Sequence, residues 1–310
     1  MKYSWVPAKN FKTISLGVTG KTYSNGLGTP VDSTQSPLGV YYVAQPYLDL
    51  YIGKPDKRKN YTQQLTLMGA YVFENGNFYN NTTVGGKVAY NFKWSKGIQA
   101  FHTKLRLDYY DVSLSNGLLD QEFDLLNLGL ELNYKLDYWE KEGKSLELRA
   151  FIGQNLFYNG PMNSRYGFAM AGQSGTMDVF YEHTLMGRNQ TSGLYANQRL
   201  ENQGGFKSVT NYGVSNTQLF AVNFYAELPK IPLIGLYADY GMFDNAGSLE
   251  SMYDLGLGLR LNARFGIYFP LIESDNIVNA YPVGTKYFNK IRFTLDLKDI
   301  QPEKVVRQFL

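Results

Sequence analysis

The chain has 310 residues, a formal net charge of +3 and no cysteine. The lack of cysteine excludes a disulfide framework and a thiolate metal site, and 30 basic against 27 acidic residues give no concentrated basic face for nucleic acid. The mean hydropathy of −0.31 resembles that of a soluble protein, and no run of about 18 apolar residues is present to form a membrane helix.

Apolar and polar residues alternate with a period of two along the chain, and this pattern predicts β-strands. Between residues 100 and 110, for example, Leu105, Leu107 and Tyr109 fall on one face of a strand. His102, Arg106 and the other polar residues of this stretch fall on the opposite face. A helix would scatter both sets around its circumference.

The pattern predicts about fourteen strands, or twelve if the two weakest are discounted. Each has roughly ten residues, the length that a tilted strand needs to cross a bilayer. The weakest prediction is the one at residues 193–200. The predicted strands are residues 12–23, 40–52, 61–73, 83–92, 100–110, 125–136, 145–152, 176–185, 193–200, 219–228, 233–243, 253–262, 265–271 and 291–298.

Short and long connections alternate along the chain, which is typical of membrane barrels with short periplasmic turns and long outer loops. An even number of strands places both termini on the short-turn, periplasmic side. Trp5 precedes the first predicted strand, while Trp94 and Trp139 lie in predicted short turns. We therefore expect these three tryptophans at one membrane interface, a depth that aromatic rings prefer.

The breadth of the predicted sheet decides which face is buried. A ring of about fourteen strands is too wide for side chains to fill from inside, so the polar rows should face an enclosed lumen and the apolar rows lipid. An open edge in hydrocarbon would leave backbone groups unpaired. The prediction is an all-β fold: one closed antiparallel transmembrane β-barrel domain over residues 1–310, in the bacterial outer membrane and in contact with its lipid. A large soluble β-sandwich is the alternative.

The charged side chains on the predicted inward rows have mixed signs. They would either line an aqueous channel and set its selectivity, or pair with each other and fill the interior. Mixed signs favour the second interpretation. The candidate lumen residues are His102, Lys104, Arg106, Asp108, Glu131, Glu147, Arg149, Asp254, Arg260 and Arg292.

The sequence contains no catalytic or metal-binding motif. It has no His-Glu-x-x-His, no Gly-x-Ser-x-Gly and no phosphate-binding glycine-rich loop, and we expect no metal and no cofactor. Its two histidines are interpreted as a polar lumen residue, His102, and an interfacial residue, His183. A barrel enzyme that uses either of them as a general base is the least favoured hypothesis.

Four stretches resemble one family: KPDKRKNYTQQLTL at residues 54–67, DVFYEHTLMGR at 178–188, FGIYFPL at 265–271, and KIRFTLDL at 290–297 with VRQFL at 306–310. Together they resemble the C-terminal barrel domain fused to aminopeptidase-N-like gluzincin metallopeptidases of Gram-negative bacteria. The resemblance implies a barrel that anchors a periplasmic zinc peptidase whose catalytic part is absent from this chain.

Two functional hypotheses follow. The first is a membrane anchor or assembly domain, whose partner is a periplasmic domain or an outer-membrane protein complex. The second is a free-standing porin or small-solute channel.

Overall fold

A computed structural model gives the fold of this chain. The regular structure in its described ranges is almost entirely β-strand, with one short α-helix, α1, at Asp275–Ala280. No helix in these ranges is long and apolar enough to cross a membrane. The structure describes residues 2–5, 11–26, 38–53, 60–75, 80–115, 120–139, 144–161, 163–183, 185, 188, 197–210, 212–231, 233–262 and 265–295.

Thirteen antiparallel strands form one sheet, and each strand lies beside the next along the chain except that β8 pairs with β11. Strands β9 (Phe168–Ala169) and β10 (Val214–Ser215) pair with each other inside the connection from β8 to β11. The thirteen are β1 Lys2–Trp5, β2 Phe11–Gly26, β3 Leu38–Ile52, β4 Tyr61–Asn75, β5 Asn80–Lys96, β6 Gln99–Ser115, β7 Asp120–Trp139, β8 Lys144–Asn159, β11 Gln218–Glu227, β12 Ile234–Asn245, β13 Ser248–Asn262, β14 Phe265–Glu273 and β15 Arg292–Leu295.

The connections between consecutive strands differ in length at the two ends of the strands, which we call the two edges of the barrel wall. At one edge, which we call the short-turn edge, β5 and β6 are joined through residues 97–98 and β13 and β14 through residues 263–264. The opposite, long-loop edge carries the three longest connections, at residues 27–37, 160–217 and 274–291, beside short ones at residues 76–79, 116–119 and 246–247. β15 ends at the short-turn edge, where Leu295 lies opposite Phe265. β1 begins with Lys2 opposite Gly17, part-way along β2.

The two faces of the sheet have opposite chemistry. On β6, Leu105 and Tyr109 are 43% and 41% exposed, whereas Asp108 on the other face is 2% exposed. Charged residues are almost never buried in soluble proteins unless they are paired. The apolar face is thus turned outward and the polar face inward, which suits a sheet that is surrounded by hydrocarbon.

The sheet curls around the chain segment that connects β8 to β11. That segment contacts the inner face of the sheet at one end, where Lys21 of β2 donates to the backbone oxygen of Tyr181 at 2.5 Å. It contacts the other end as well, where Arg292 of β15 donates to the backbone oxygen of Leu200 at 2.9 Å. Contacts of one segment with both the second and the last strand of the sheet agree with a sheet that curves around that segment. The predicted antiparallel transmembrane barrel fold is confirmed.

Two predicted strands are wrong. Residues Gly175–Met177 form a 3-10 turn rather than strand. Val179, Phe180 and Tyr181 follow and are all buried, whereas a wall strand would bury every second side chain. The second wrong strand is the one at residues 193–200. Its described part makes only a single parallel β-bridge, between Gln198 and Phe293 of β15. The described residues of the first stretch lie inside the barrel, and those of the second bind the outer edge of β15 without forming a wall strand.

The wall itself differs from the prediction at its beginning. The described sheet has thirteen strands where about fourteen were predicted. It includes β1, which the alternation did not reveal and which contains Trp5.

Glycines on the inner face make room for the internal segment. A Cβ added at Gly153 of β8 would lie 2.7 Å from Cδ1 of Phe168 and 2.9 Å from Cε1 of Phe151. Both phenylalanines belong to the buried apolar cluster between β8, β11 and the internal segment. By contrast, a Cβ at Gly20 of β2 would meet nothing within 4 Å. The contact between wall and internal segment at Gly153 therefore depends on the absence of a side chain.

We expect the substitution Gly153→Ala to lower the free energy of unfolding by about 1–3 kcal/mol, because Phe168 must move away from its packing site. Urea unfolding of the refolded barrel, followed by its heat-modifiable mobility on gels, measures this change. Gly20→Ala is the matched control and should change the free energy little. Equal effects of the two substitutions would contradict the close packing at Gly153.

Candidate functional site: an internal plug and a luminal cavity

The connection from β8 to β11 has its own backbone structure inside the barrel. We call its described part, residues 163–183, 185, 188, 197–210 and 212–217, the plug. It begins with the 3-10 turn Ser164–Tyr166, in which the side chain of Asn163 accepts a hydrogen bond from the Arg165 N–H at 3.0 Å. Further along, Ala169 of β9 lies opposite Val214 of β10. These strands hold the beginning and the end of the plug together.

Glu74 of β4 holds the plug near the long-loop edge. Its carboxylate is 1% exposed and accepts two hydrogen bonds from the guanidinium of Arg165, one of them at 2.6 Å. The hydroxyl of Tyr181 donates to it at 2.8 Å and the amide of Asn81 at 2.9 Å. Paired charge-assisted bonds of this kind are roughly twice as strong as neutral ones. Glu74 thus ties two parts of the plug to the wall.

A second ionic contact lies on β5 and β6. The ammonium of Lys87 forms an ion pair with Glu182 of the plug and lies 3.8 Å from Asp108 of the neighbouring strand. Asp108 also pairs with Arg106, with Nε and Oδ2 at 2.6 Å. Burial opposes the ionisation of Glu182, but Lys87 and Lys104 together outweigh it and hold the pKa of this carboxyl below its usual value.

Side chains of β2 and β3, on the other side of Lys87, bind the backbone of the same stretch of the plug. Lys21 of β2 donates to the oxygen of Tyr181, and Gln45 of β3 donates to the oxygen of Phe180. The ring of Phe180 stacks on Tyr110 of β6, with centroids 4.7 Å apart. Backbone acceptors that water would otherwise satisfy are therefore paired with wall side chains.

Arg149 of β8 is the centre of a third contact. Its guanidinium donates to the backbone oxygen of Gln203 at 2.7 Å, to Asn223 of β11 at 2.8 Å and to Glu131 of β7 at 2.9 Å. The amide of Asn223 donates in turn to the backbone oxygen of Gly204 at 2.9 Å. The turn at residues 203–204 is bound by two adjacent strands, β8 and β11, and Glu131 of β7 holds Arg149 in place.

A fourth contact involves Glu201 of the plug. Arg260 of β13 and Lys207 each lie 2.8 Å from its carboxylate, and Arg260 also pairs with Glu147 of β8 at 2.5 Å. Burial opposes the ionisation of Glu201, but Arg260 and Lys207 outweigh it and lower the pKa of this carboxyl below its usual value. The plug therefore carries a charged carboxylate at neutral pH.

The plug also binds the outer edge of β15, on the side away from β14. The N–H of Arg199 donates to the oxygen of Phe293 at 3.3 Å. The amide of Gln198 donates to the oxygen of Leu295 at 2.6 Å. This edge of the last described strand is consequently hydrogen-bonded by the chain's own internal segment.

One row of side chains crosses the inner wall in register from β5 to β13, and its charge changes sign along the way. The basic members lie on β5, β6 and β8, and the acidic members lie on β12 and β13. In the order of the strands from β5 to β13, the members of the row are Lys93, His102, Asn133, Arg149, Asn223, Asp239 and Asp254. The backbone N–H of Lys207 in the plug donates to the acidic member on β12, Asp239, at 2.9 Å.

The predicted lumen residues all lie on the face of the wall that carries the plug. Arg106, Asp108, Glu131, Glu147, Arg149 and Arg260 take part in the ion pairs above. Of the remainder, Lys104 lies opposite Glu131 in the strand register. Asp254 accepts from the hydroxyl of Tyr237 at 3.1 Å, and the buried Arg292 donates to the plug backbone.

The three predicted interfacial tryptophans lie at or near the ends of their strands, at the short-turn edge. Trp94 lies near the end of β5, Trp139 ends β7 and Trp5 ends β1. All three strands run toward that edge. Their role at the membrane interface stays a prediction.

A cavity of about 1010 Å³ lies between the plug and the short-turn edge. Glu201 and Lys207 of the plug close it on one side, and Asn60 and Ser95 lie at its other end near the short turns. Its wall includes His102, Arg149 and other members of the row described above. The lumen is thus filled toward the long-loop edge and hollow toward the short-turn edge.

The histidines lie in different environments. His102 lines the cavity, whereas His183 belongs to the plug, where its N–H donates to Asp178 at 3.0 Å. The prediction that His183 lies at an interface on a wall strand is therefore wrong. No group of three or more His, Cys, Asp or Glu side chains in the described ranges is arranged to hold a metal ion.

The sequence analysis missed the plug residues, including Arg165, Glu182, Gln203 and Lys207. A signal for them was present. Phe-Ala-Met-Ala at residues 168–171 is an apolar run inside a connection that was predicted to be a long loop. Surface loops are usually polar because their backbone must stay in contact with water, so this run indicates a buried connection.

Comparison with known proteins gives structural likeness only. No family model matches the chain, and no curated protein matches it. The translocator domain of the autotransporter NalP from Neisseria meningitidis is similar to it at 10% identity and a TM-score of 0.32, over 82% of this chain and 78% of that one. CdiB from Acinetobacter baumannii is similar at 13% identity and a TM-score of 0.37, over 91% of this chain but 46% of that one.

These findings correct the family prediction. The resemblance to the barrel domain of aminopeptidase-N-like metallopeptidases is wrong, because no family model supports it and the similar structures are an autotransporter translocator domain and CdiB. The likenesses are too distant to carry any argument about function. The outward apolar face and inward charged face remain, and they are the architecture of a β-barrel of the bacterial outer membrane.

The substitution Glu74→Gln should loosen the plug. It removes the charge that Arg165 pairs with, and breaking a largely buried ion pair costs about 3 kcal/mol or more. Hydrogen exchange by mass spectrometry should show faster exchange in residues 163–183 than in the wild type. Glu122→Gln, at an exposed position on β7 near the same edge, is the matched control and should leave exchange unchanged.

Acid should loosen the plug as well. The pKa of Glu201 is lower in the folded barrel than its usual value of 4.5, so its stabilising contribution is complete above that value and is lost as the pH falls below it. Hydrogen exchange of residues 197–210, corrected for the intrinsic rate, should therefore rise between about pH 6 and about pH 3. Glu201→Gln should show raised exchange already at neutral pH and a smaller change on acidification. Identical pH profiles for the two proteins would contradict this role.

Proposed function

We propose that residues 1–310 form one outer-membrane barrel domain that serves as a membrane anchor or assembly domain and not as an open pore. The observation that carries the proposal is the plug, which is tied to the inner wall by ion pairs at Glu74, Lys87, Arg260 and by the hydrogen bonds of Arg149. An open channel needs a continuous water-filled path through the lumen. Here the path from the cavity toward the long-loop edge is occupied by folded chain.

The contacts of the plug support a permanent rather than a mobile obstruction. They involve strands from β2 to β15, and several of the groups are buried charges that would be left unpaired if the plug withdrew. Leaving one member of a buried pair unpaired costs about 3–5 kcal/mol. With the lumen filled toward the long-loop edge, the surfaces left for function are the lipid-facing rows, the cavity toward the short-turn edge and the two edges of the sheet.

A partner of the barrel is expected at the short-turn edge, either a periplasmic domain or an outer-membrane protein complex. A zinc peptidase is not part of this proposal, since the family resemblance that implied it is wrong. The alternative hypothesis, a free-standing porin or small-solute channel, requires that the plug leave the lumen.

Conductance in planar bilayers separates the two hypotheses. The refolded wild-type barrel should give no large, stable conductance steps. A variant in which residues 163–212 are replaced by a short Gly-Ser linker should give them, because the lumen is then open. The Glu122→Gln variant controls for refolding and should behave like the wild type. Large steps from the wild type would refute the anchor proposal and favour the porin.

A further inference from the structure

The lipid-facing surface of the wall has a groove that runs across the strands from β2 to β6. Its volume is about 500 Å³, and apart from Lys87, whose side chain is turned into the lumen, its lining residues carry no charge. On the short-turn side it is bounded by a row of aliphatic side chains that are in register across these strands. Leu16, Leu67 and Val88 of this row are 49%, 38% and 45% exposed, so the row points outward. From β2 to β6 its members are Leu16, Leu48, Leu67, Val88 and Leu107.

The floor of the groove consists of residues with little or no side chain. Gly69 of β4 and Gly86 of β5 are direct partners in the strand register. Pro46 of β3 is adjacent to them, since a Cβ added at Gly69 would lie 3.3 Å from its Cγ. On the long-loop side of this floor, Tyr71 and Val84 are again direct partners and are both 48% exposed. The floor is therefore a trough between two rows of larger side chains.

Internal packing does not require the glycine at the centre of the floor. A Cβ added at Gly86 would meet only the backbone oxygen of Met68, at 3.5 Å, which is an ordinary contact. Glycine in the interior of a strand costs about 0.5–1 kcal/mol relative to alanine, and it often marks a bulge or a close approach of a ligand. β5 pairs with both neighbours without a register shift, so no bulge accounts for Gly86. The space above it is open to a ligand.

The dimensions of the groove restrict what fits into it. It spans four strand spacings, about 19 Å at about 4.8 Å each, and one leaflet of the hydrocarbon core is about 15 Å deep. Leu67 and Tyr71 mark its two sides on β4, about 13 Å apart along the backbone at about 3.3 Å per residue, and their side chains narrow this gap. A helix with a diameter of about 10–12 Å is too wide for the gap that remains. A single extended chain is narrow enough.

The chemistry of the groove favours an acyl chain over an extended peptide. The floor strands β3, β4 and β5 each pair with a neighbour on both sides, so the floor offers a peptide backbone no strand edge to pair with. Each unpaired backbone group in hydrocarbon costs several kcal/mol, whereas an acyl chain has no such groups. The groove is also continuous with the outward apolar face that lipid surrounds.

We propose that this groove holds one acyl chain of a lipid in the leaflet beside the long loops. Gly86 lies six residues from the start of β5 at Asn80 and ten from its end at Lys96, so the groove is nearer to the long-loop edge. The wall recognises the chain and not the headgroup, because the side chains turned toward the groove carry no charge. The site lies on the outer face of the wall and does not depend on whether the lumen conducts.

Native mass spectrometry of the full chain, delipidated in detergent and then titrated with lipid, tests this groove. Two probes, dimyristoylphosphatidylcholine and dimyristoylphosphatidylglycerol, have the same chains and differ in headgroup charge. The wild type should bind the first molecule of either lipid more tightly than any further molecule. Dihexanoylphosphatidylcholine, whose chains are too short to fill the groove, should bind much more weakly. Heat-modifiable mobility on gels confirms that each protein is folded.

One variant and one matched control locate the site. Gly86→Leu fills the groove and should weaken the first binding step about tenfold, which corresponds to about 1.4 kcal/mol. Gly20→Leu adds the same side chain to the lipid-facing surface of β2 outside the groove, where an added Cβ would meet nothing within 4 Å, and should bind like the wild type.

Three results would overturn the proposal. The first is a wild type in which no single lipid binds more tightly than the rest, or in which only phosphatidylglycerol does. The second is equal binding by Gly86→Leu and Gly20→Leu. The third is a dimer of the wild type that Gly86→Leu dissociates, because the groove would then hold a second copy of the chain.

Discussion

The hydrogen-bonding needs of the backbone in hydrocarbon govern the whole structure. No water is available there, so each N–H and C=O of a crossing strand must pair with a neighbouring strand. The ladders between neighbouring strands from β1 to β15, interrupted by a few register shifts, meet most of this need within the described ranges, and the plug binds the outer edge of β15. The alternation of side chains then follows from strand geometry, and it sends the apolar rows to lipid and the charged rows to the lumen.

The enclosed charges create a second requirement, which the plug meets. Arg149 and Arg260 each have one carboxylate partner on the wall, Glu131 and Glu147, but the wall leaves part of their hydrogen-bonding capacity unused. Among the described residues, the only cation paired with the buried Glu74 comes from the plug. The plug supplies Arg165, Glu201 and several backbone oxygens as partners. Its apolar residues, such as Phe168 and Phe180, fill the space between the ion pairs, so the interior resembles the core of a small protein enclosed by a membrane wall.

The sequence predicted the wall well because each wall strand follows a simple local rule. The alternation on β6, β7, β12 and β13 is nearly unbroken, and the strands lie where it predicted them. The plug obeys no such rule. Residues 179–181 have strand-forming side chains, but all three are buried because chain surrounds them on every side. Their structure depends on contacts with Lys21 and Gln45, which lie far away in the sequence and cannot be read from a local pattern.

The candidate site was predictable in part for the same reason. His102 and Arg149 were assigned to the lumen from their place in the alternation, but the row that joins them depends on strand register. Register is set by the turns and the packed face, and the sequence alone did not provide it. Lys93 also belongs to that row, and only its pairing with His102 reveals it.

The position of the plug in the chain has a consequence for biogenesis. Lys21 contacts Tyr181 across 160 residues, and Leu200 contacts Arg292 across 92, so the plug is enclosed by strands made both before and after it. Contacts between such distant residues form slowly because long loops must first close. A sheet that already surrounded this position would offer a folded insert no lateral entrance. We therefore expect the plug to be seated before the last strands are in place, so that it acts as a template on which they assemble.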